Sequence, residues 1–151
     1  MTQFTTGLRV EFDQVNRISL IRVAGRLSDE SLRDLYDASQ NYSNATDARV
    51  SIVDLSSVSE FAFSSGFIQN LASQAPTRAD VRRHCFIVAP KGYAFGLCRM
   101  FQLLGEAKRP LLQIVHTMGE VFAAIGIRPP YFEPSVIPAL LRARYPGAAI
   151  V

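Results

Sequence analysis

Residues 50–71 read VSIVDLSSVSEFAFSSGFIQNL, and the fold turns on how that stretch divides. Its first part belongs to ARVSIVDL, residues 48–55, a short apolar run rich in β-branched residues that reads as a strand. Its last part opens SSGFIQNLASQA, residues 64–75, where apolar residues recur at helical spacing behind a serine placed to cap a helix. Strand followed by helix is the repeating unit of a mostly parallel sheet. Between them lies FAFSSGF, residues 61–67, two serines and a glycine among aromatic rings. Those serines do chemistry, receive chemistry, or only cap the helix.

Outward from this unit the alternation continues. LRVEFD (8–13) and RISLIRVAG (17–25) read as an opening hairpin, with Gln14, Val15 and Asn16 between them. From Ser28 to about Tyr42 the period becomes helical, with Ser28 and Ser31 at its start. HCFIVAP (84–90) and LLQIVH (111–116) read as strands, and YAFGLCRMFQLLG (93–105) and TMGEVFAAIG (117–126) as helices. Thr117 is placed to cap the last helix, with Glu120 as its capping-box partner. The expected order is ββαβαβαβα in one α/β domain, the sheet mostly parallel apart from the N-terminal antiparallel hairpin.

The expected boundaries are a domain over residues 1–126 and a Pro-rich C-terminal extension over 127–151. The extension holds five of the eight prolines and a short helix expected over 134–144. It packs on its own domain, or Tyr131, Phe132, Leu140 and Leu141 dock on a second subunit to make a homodimer.

A chain of 151 residues with 48% hydrophobic content suits one core of ordinary size. No apolar run is long enough to cross a bilayer and the N-terminus lacks a signal-peptide layout, so a cytoplasmic location is expected. Residues 1–75 carry six arginines against nine acids, net −3, whereas residues 76–151 carry ten Lys or Arg against four acids, net +6. The basic residues follow no recognition-helix or RNA-binding motif, so a solvated surface is favoured over nucleic-acid binding. Cys85 and Cys98 read as free buried thiols, and neither a metal nor a cofactor is expected.

The element order, together with Asp54-Leu55-Ser56 and Ser64-Ser65-Gly66, resembles the STAS family, named for sulfate transporters and anti-sigma factor antagonists. The likeness covers roughly residues 8–126 and is nearest to small stand-alone bacterial members. It implies a SpoIIAA-like fold and a non-enzymatic regulatory role through protein interaction, with an anti-sigma factor or serine kinase as partner. It also implies that Ser64 is the phosphoacceptor. Phe63 stands where the family motif has Asp, and a phenyl ring cannot supply the carboxylate's hydrogen bonds. Asp54, Phe63, Ser64, Ser65 and Gly66 are the partner-binding residues that the likeness suggests.

Physical readings of the same residues stand beside these. Ser64 serves as an N-cap with or without a kinase, Ser65 fits a first-turn position, and Gly66 suits close packing. Asp54 either meets a partner at the carboxyl end of its strand or bonds N–H groups in the DLSSVS turn. The alternative function is a lipid or small-anion binding module, with Phe61, Phe63 and Phe67 lining a pocket. Gly92, Gly96 and Arg99 form a second candidate anion site. A triad of Ser64, a histidine and Asp54 has no nucleophile-elbow motif behind it, so no enzyme is expected.

Overall fold

The computed structural model describes residues 7–75, 82–130, 132–134 and 149–150. Two strands, β1 (Gly7–Asp13) and β2 (Ile18–Ser28), form the opening hairpin. The Asp13 carboxylate closes its turn by accepting from the Val15 N–H at 3.1 Å and the Asn16 amide at 2.7 Å. Then follow α1 (Asp29–Thr46), β3 (Val50–Ala62), α2 (Ser65–Ser73), β4 (His84–Val88), α3 (Tyr93–Leu104), β5 (Leu112–Val115) and α4 (Met118–Ile125). The order is the expected ββαβαβαβα. β2, β3, β4 and β5 pair in parallel and β1 alone runs against β2, giving the sheet order β5-β4-β3-β2-β1.

Strand alternation sends one set of side chains to each face. Ile21, Val23 and Leu55 face α1, α2 and α3, which contribute Leu35, Tyr42, Ile68, Leu71, Leu97 and Phe101 to that core. Ile18, Leu20, Val50, Ile52, Phe86 and Val88 face the other way, where α4 seats Val121 and Phe122 on them. Of the helices among the described residues, α1, α2 and α3 thus lie on one face and α4 on the other.

β3 continues well past the expected Leu55. Its far half pairs with the far half of β2 through two register shifts, between Arg22 and Ala24 and between Gly25 and Arg26. Gly25, at φ +87°, supplies the left-handed backbone that the second shift needs. The extra residues of β3 fall after Asp54, so DLSSVSE is bulged strand rather than turn.

Two short strands were not foreseen. β6 (Glu133–Pro134) pairs antiparallel with Glu11 and Phe12, and β7 (Ala149–Ile150) pairs parallel with Gly7 and Leu8, both along the outer edge of β1. That edge would otherwise present unpaired backbone groups. Pro134 is therefore a strand residue, and the rest of the helix expected over 134–144 lies outside the described residues. Phe132 packs on Phe122 of the chain's own α4, ring centroids 6.3 Å apart. Tyr131, Leu140 and Leu141 lie outside the described residues.

Several basic side chains close helix ends. Arg83, only 5% exposed, donates to the Ala48 carbonyl at 2.7 Å and the Ser43 carbonyl at 3.2 Å behind α1. Arg109 donates to the Ala72, Leu71 and Gln74 carbonyls at 3.1, 3.3 and 2.8 Å, and Lys108 to that of Ser73, at the end of α2. Cations meet the orphan carbonyls there, where the helix dipole also favours them. This withdraws Arg83 and much of Arg109 from any solvated basic surface, while Lys108 stays exposed.

Candidate functional site at the start of α2

Ser64 is the N-cap of α2, at φ −96° and ψ 156°, and its hydroxyl accepts from the Phe67 N–H at 3.2 Å. The hydroxyl also donates to Asp29 Oδ2 at 3.3 Å, and the Ser64 N–H donates to Asp29 Oδ1 at 2.8 Å. Asp29 is the first residue of α1, held there by the Ser28–Ser31 capping box. A carboxylate therefore does reach Ser64, from 35 positions earlier in the chain.

Phe63 has turned the other way. It is 3% exposed and packs edge-on against Phe61 at 5.9 Å. Its ring extends the core beneath α2, while Asp29 provides the polar contacts that a phenyl ring cannot. Ser65 and Gly66 are exposed. A Cβ at Gly66 would meet nothing within 4 Å, so the close packing expected of this glycine is absent. Beside them the Arg33 guanidinium lies over the Phe67 ring at 5.4 Å and donates to Asn70 Oδ1 at 3.2 Å. The start of α2 thus presents Ser64, Ser65 and Gly66 to solvent with Asp29 and Arg33 of α1 alongside.

Asp54 is not part of this surface. It sits mid-strand, 4% exposed, on the sheet face opposite α2, because its neighbours Val53 and Leu55 point to the α2 side. Its Oδ2 accepts from Arg22 at 3.1 Å, and its Oδ1 accepts from the Ser56 N–H at 3.0 Å and the Ser56 hydroxyl at 2.6 Å. Arg22 also donates to Glu11 at 2.9 Å, and Arg9 donates to the other oxygen of Glu11 at 3.1 Å, which closes a row of alternating charges. Burial makes such carboxylates costly unless paired, which assigns Arg22 a structural task.

Arg99, on α3, donates to Gln102 one turn on, and Gln102 donates to the Leu112 carbonyl at 2.7 Å. It is tied to the α3–β5 contact, not to Ser64 or to the α3 start at Gly92. His84 is exposed at the start of β4. His116 stacks on Phe95 at 4.1 Å with its Nδ1 buried and without a hydrogen-bond partner among the described residues.

Beneath the site is a cavity of about 140 Å³ between α1, α2, α3 and the sheet. Phe63, Ile68 and Leu71 wall it on the α2 side, and Val53, Leu55 and Phe101 are among its other apolar walls. Cys98 also lines it, its thiol pushed up to about 12 by burial. The aromatic spacing of FAFSSGF suggests a pocket lined by Phe61, Phe63 and Phe67. Of these only Phe63 lines the cavity.

No family model matches the chain, and no curated protein does. Solved structures do. An anti-sigma factor antagonist from Mycobacterium paratuberculosis superposes with a TM-score of 0.54 at 19% identity, over 81% of this chain and 95% of the other. The anti-sigma factor antagonist SpoIIAA in its unphosphorylated form superposes with a TM-score of 0.51 at 14% identity, over 82% of this chain and all of that one. The chain has the STAS fold. Both likenesses span nearly the whole of the compared chains and about four fifths of this one. Within this STAS fold, Asp29 is the residue that the sequence did not flag. Its only local signal is an acid directly after the Ser28 cap.

Proposed function

We propose that the chain is a non-enzymatic regulatory domain of anti-sigma factor antagonist type, docking a protein partner through the start of α2 and switched by phosphorylation of Ser64. The observation that carries this reading is the Ser64 hydroxyl, exposed at a helix N-cap and hydrogen-bonded to the Asp29 carboxylate. A kinase reaches such a hydroxyl without unfolding the domain. The phosphate adds about −1.5 to −2 charge. Part of that charge is favoured by the helix dipole, and part is opposed by Asp29 beside it. The fold therefore survives while the surface changes from a neutral hydroxyl to a hydrated dianion, which a partner fitted to the hydroxyl must desolvate.

Ser65 and Gly66 complete the docking patch, and bare backbone at Gly66 lets a partner approach closely. Among the described residues the hydroxyl's partners are a carboxylate and a backbone N–H, which supports a group that receives chemistry over a nucleophile that performs it. The test is binding of an anti-sigma factor kinase from the same organism, measured by calorimetry with wild type, Ser64→Ala and Ser64→Asp. The reading expects Ser64→Ala to bind within about threefold of wild type and Ser64→Asp to bind at least about tenfold more weakly. Equal binding by all three removes Ser64 from the interface.

A further inference from the structure

We propose that the cavity under α2 is a binding site for a small neutral ring compound carrying one hydroxyl, of the size of a simple phenol. The volume sets the size. An enclosed apolar cavity of about 150 Å³ admits a benzene-sized ring, and the space here is about 140 Å³, with an opening toward solvent through which a small ring can enter. The wall sets the polarity: Leu32, Leu35, Phe63, Ile68, Phe101 and Leu112 offer hydrocarbon only.

The polar groups in the wall set the rest. Ser51 bonds Ser43 at 2.9 Å, the Tyr36 hydroxyl accepts from Arg109 at 2.6 Å, and Arg109 is taken up by the carbonyls of α2. With its one cation committed, the cavity has nothing to offset a buried anion, so the ligand is neutral. Ser39 and Gln40 also line it, one turn beyond Tyr36 on α1, and neither side chain has a hydrogen bond among the described residues. These two groups are available to one hydroxyl on the ligand. Phe63, Ile68 and Leu71 make the wall on the α2 side, so a bound ring rests against the residue that precedes Ser64. This proposal is independent of the phosphorylation reading.

Phenol is titrated into the full chain and followed by amide NMR shifts and by thermal melting, with toluene and 2-naphthol as comparison probes. The expected result is saturable binding of phenol with half-saturation at or below about 1 mM. Shifts should centre on Phe63, Ile68, Leu71 and Phe101, and the midpoint of melting should rise. Toluene should bind more weakly than phenol, and 2-naphthol, too large for the space, not at all. Ser39→Ala combined with Gln40→Leu should weaken phenol by about threefold to tenfold and leave toluene unchanged. Cys98→Phe should fill the space and abolish both. If that variant does not fold, the size series and the Ser39/Gln40 pair decide the matter. Non-saturable phenol shifts, shifts confined to the surface, or 2-naphthol binding as well as phenol overturn the proposal.

Discussion

Placing an acid at position 64 tests the Asp29–Ser64 contact directly, because the two effects it sets in opposition have different partners. Aspartate caps a helix about as well as serine, and near a helix start a negative charge is worth about 0.3–1 kcal/mol. Against this, Asp29 holds the Ser64 N–H at 2.8 Å and the hydroxyl at 3.3 Å, so a carboxylate at 64 comes within hydrogen-bond range of a second one. Two unit charges about 4 Å apart repel by about 1 kcal/mol in water and about 4 at an effective dielectric of 20. The position is exposed, so the lower end applies. Ser64→Asp alone should therefore cost about 0–1 kcal/mol. In an Asp29→Asn background, which keeps an acceptor and removes the charge, the same change should be neutral or stabilising. A double-mutant cycle by urea denaturation at low salt should return a coupling of about 1 kcal/mol, fading as salt is added. That corresponds to about 2–4 °C in melting temperature. A coupling below about 0.3 kcal/mol refutes the reasoning, because Asp29 would then not be at Ser64 in solution.

Three further outcomes follow from the same geometry. Gly66→Ala should stabilise the domain by about 0.5–1 kcal/mol, since Gly66 needs neither a positive φ nor close packing, yet it should weaken partner binding; calorimetry beside thermal melts separates the two effects. Arg109→Ala should cost about 2–4 kcal/mol in urea, with Arg109→Lys a poor rescue, because the fork serves three carbonyls and the Tyr36 hydroxyl at once. Asp34 has its pKa raised from 3.8 by desolvation first, then by Glu30 and Asp37. Its ionised form therefore weighs against folding above the folded-state pKa, so Asp34→Asn should stabilise at pH 7 and the gain should vanish as the pH falls below about 3.8, as denaturation at several pH values will show.

The elements with a strong period were legible in the sequence: the hairpin, the three parallel strands after it, and the helices with serine or threonine caps at Ser28, Ser64 and Thr117. What escaped had physical reasons. Ser56, Ser57 and Ser59 read as a turn because their polarity hides strand character, and β3 persists through them only because the far half of β2 is there to pair with it. β6 and β7 are two residues each, too short for any period, and exist because β1 leaves an edge to cover. At the site, Ser64 as a cap was plain from its position. That Phe63 cannot hydrogen-bond was plain from its identity. The contact of Asp29 with Ser64 was invisible, since it depends on where the start of α1 meets the start of α2. The glutamate expected in the last capping box bonds the His116 N–H at 2.8 Å, one residue before the cap, while Thr117 caps Glu120 as expected.

On the proposed reading, Ser64 is the switched residue of a docking surface. Incubating the chain with ATP and an anti-sigma factor serine kinase from the same organism, then mapping the phosphate by mass spectrometry, addresses it most directly. The expected result is one phosphate on Ser64, none on Ser64→Ala, and release of the kinase once the modification is made. A phosphate on another serine, or an unmodified chain that the kinase neither binds nor labels, would contradict it.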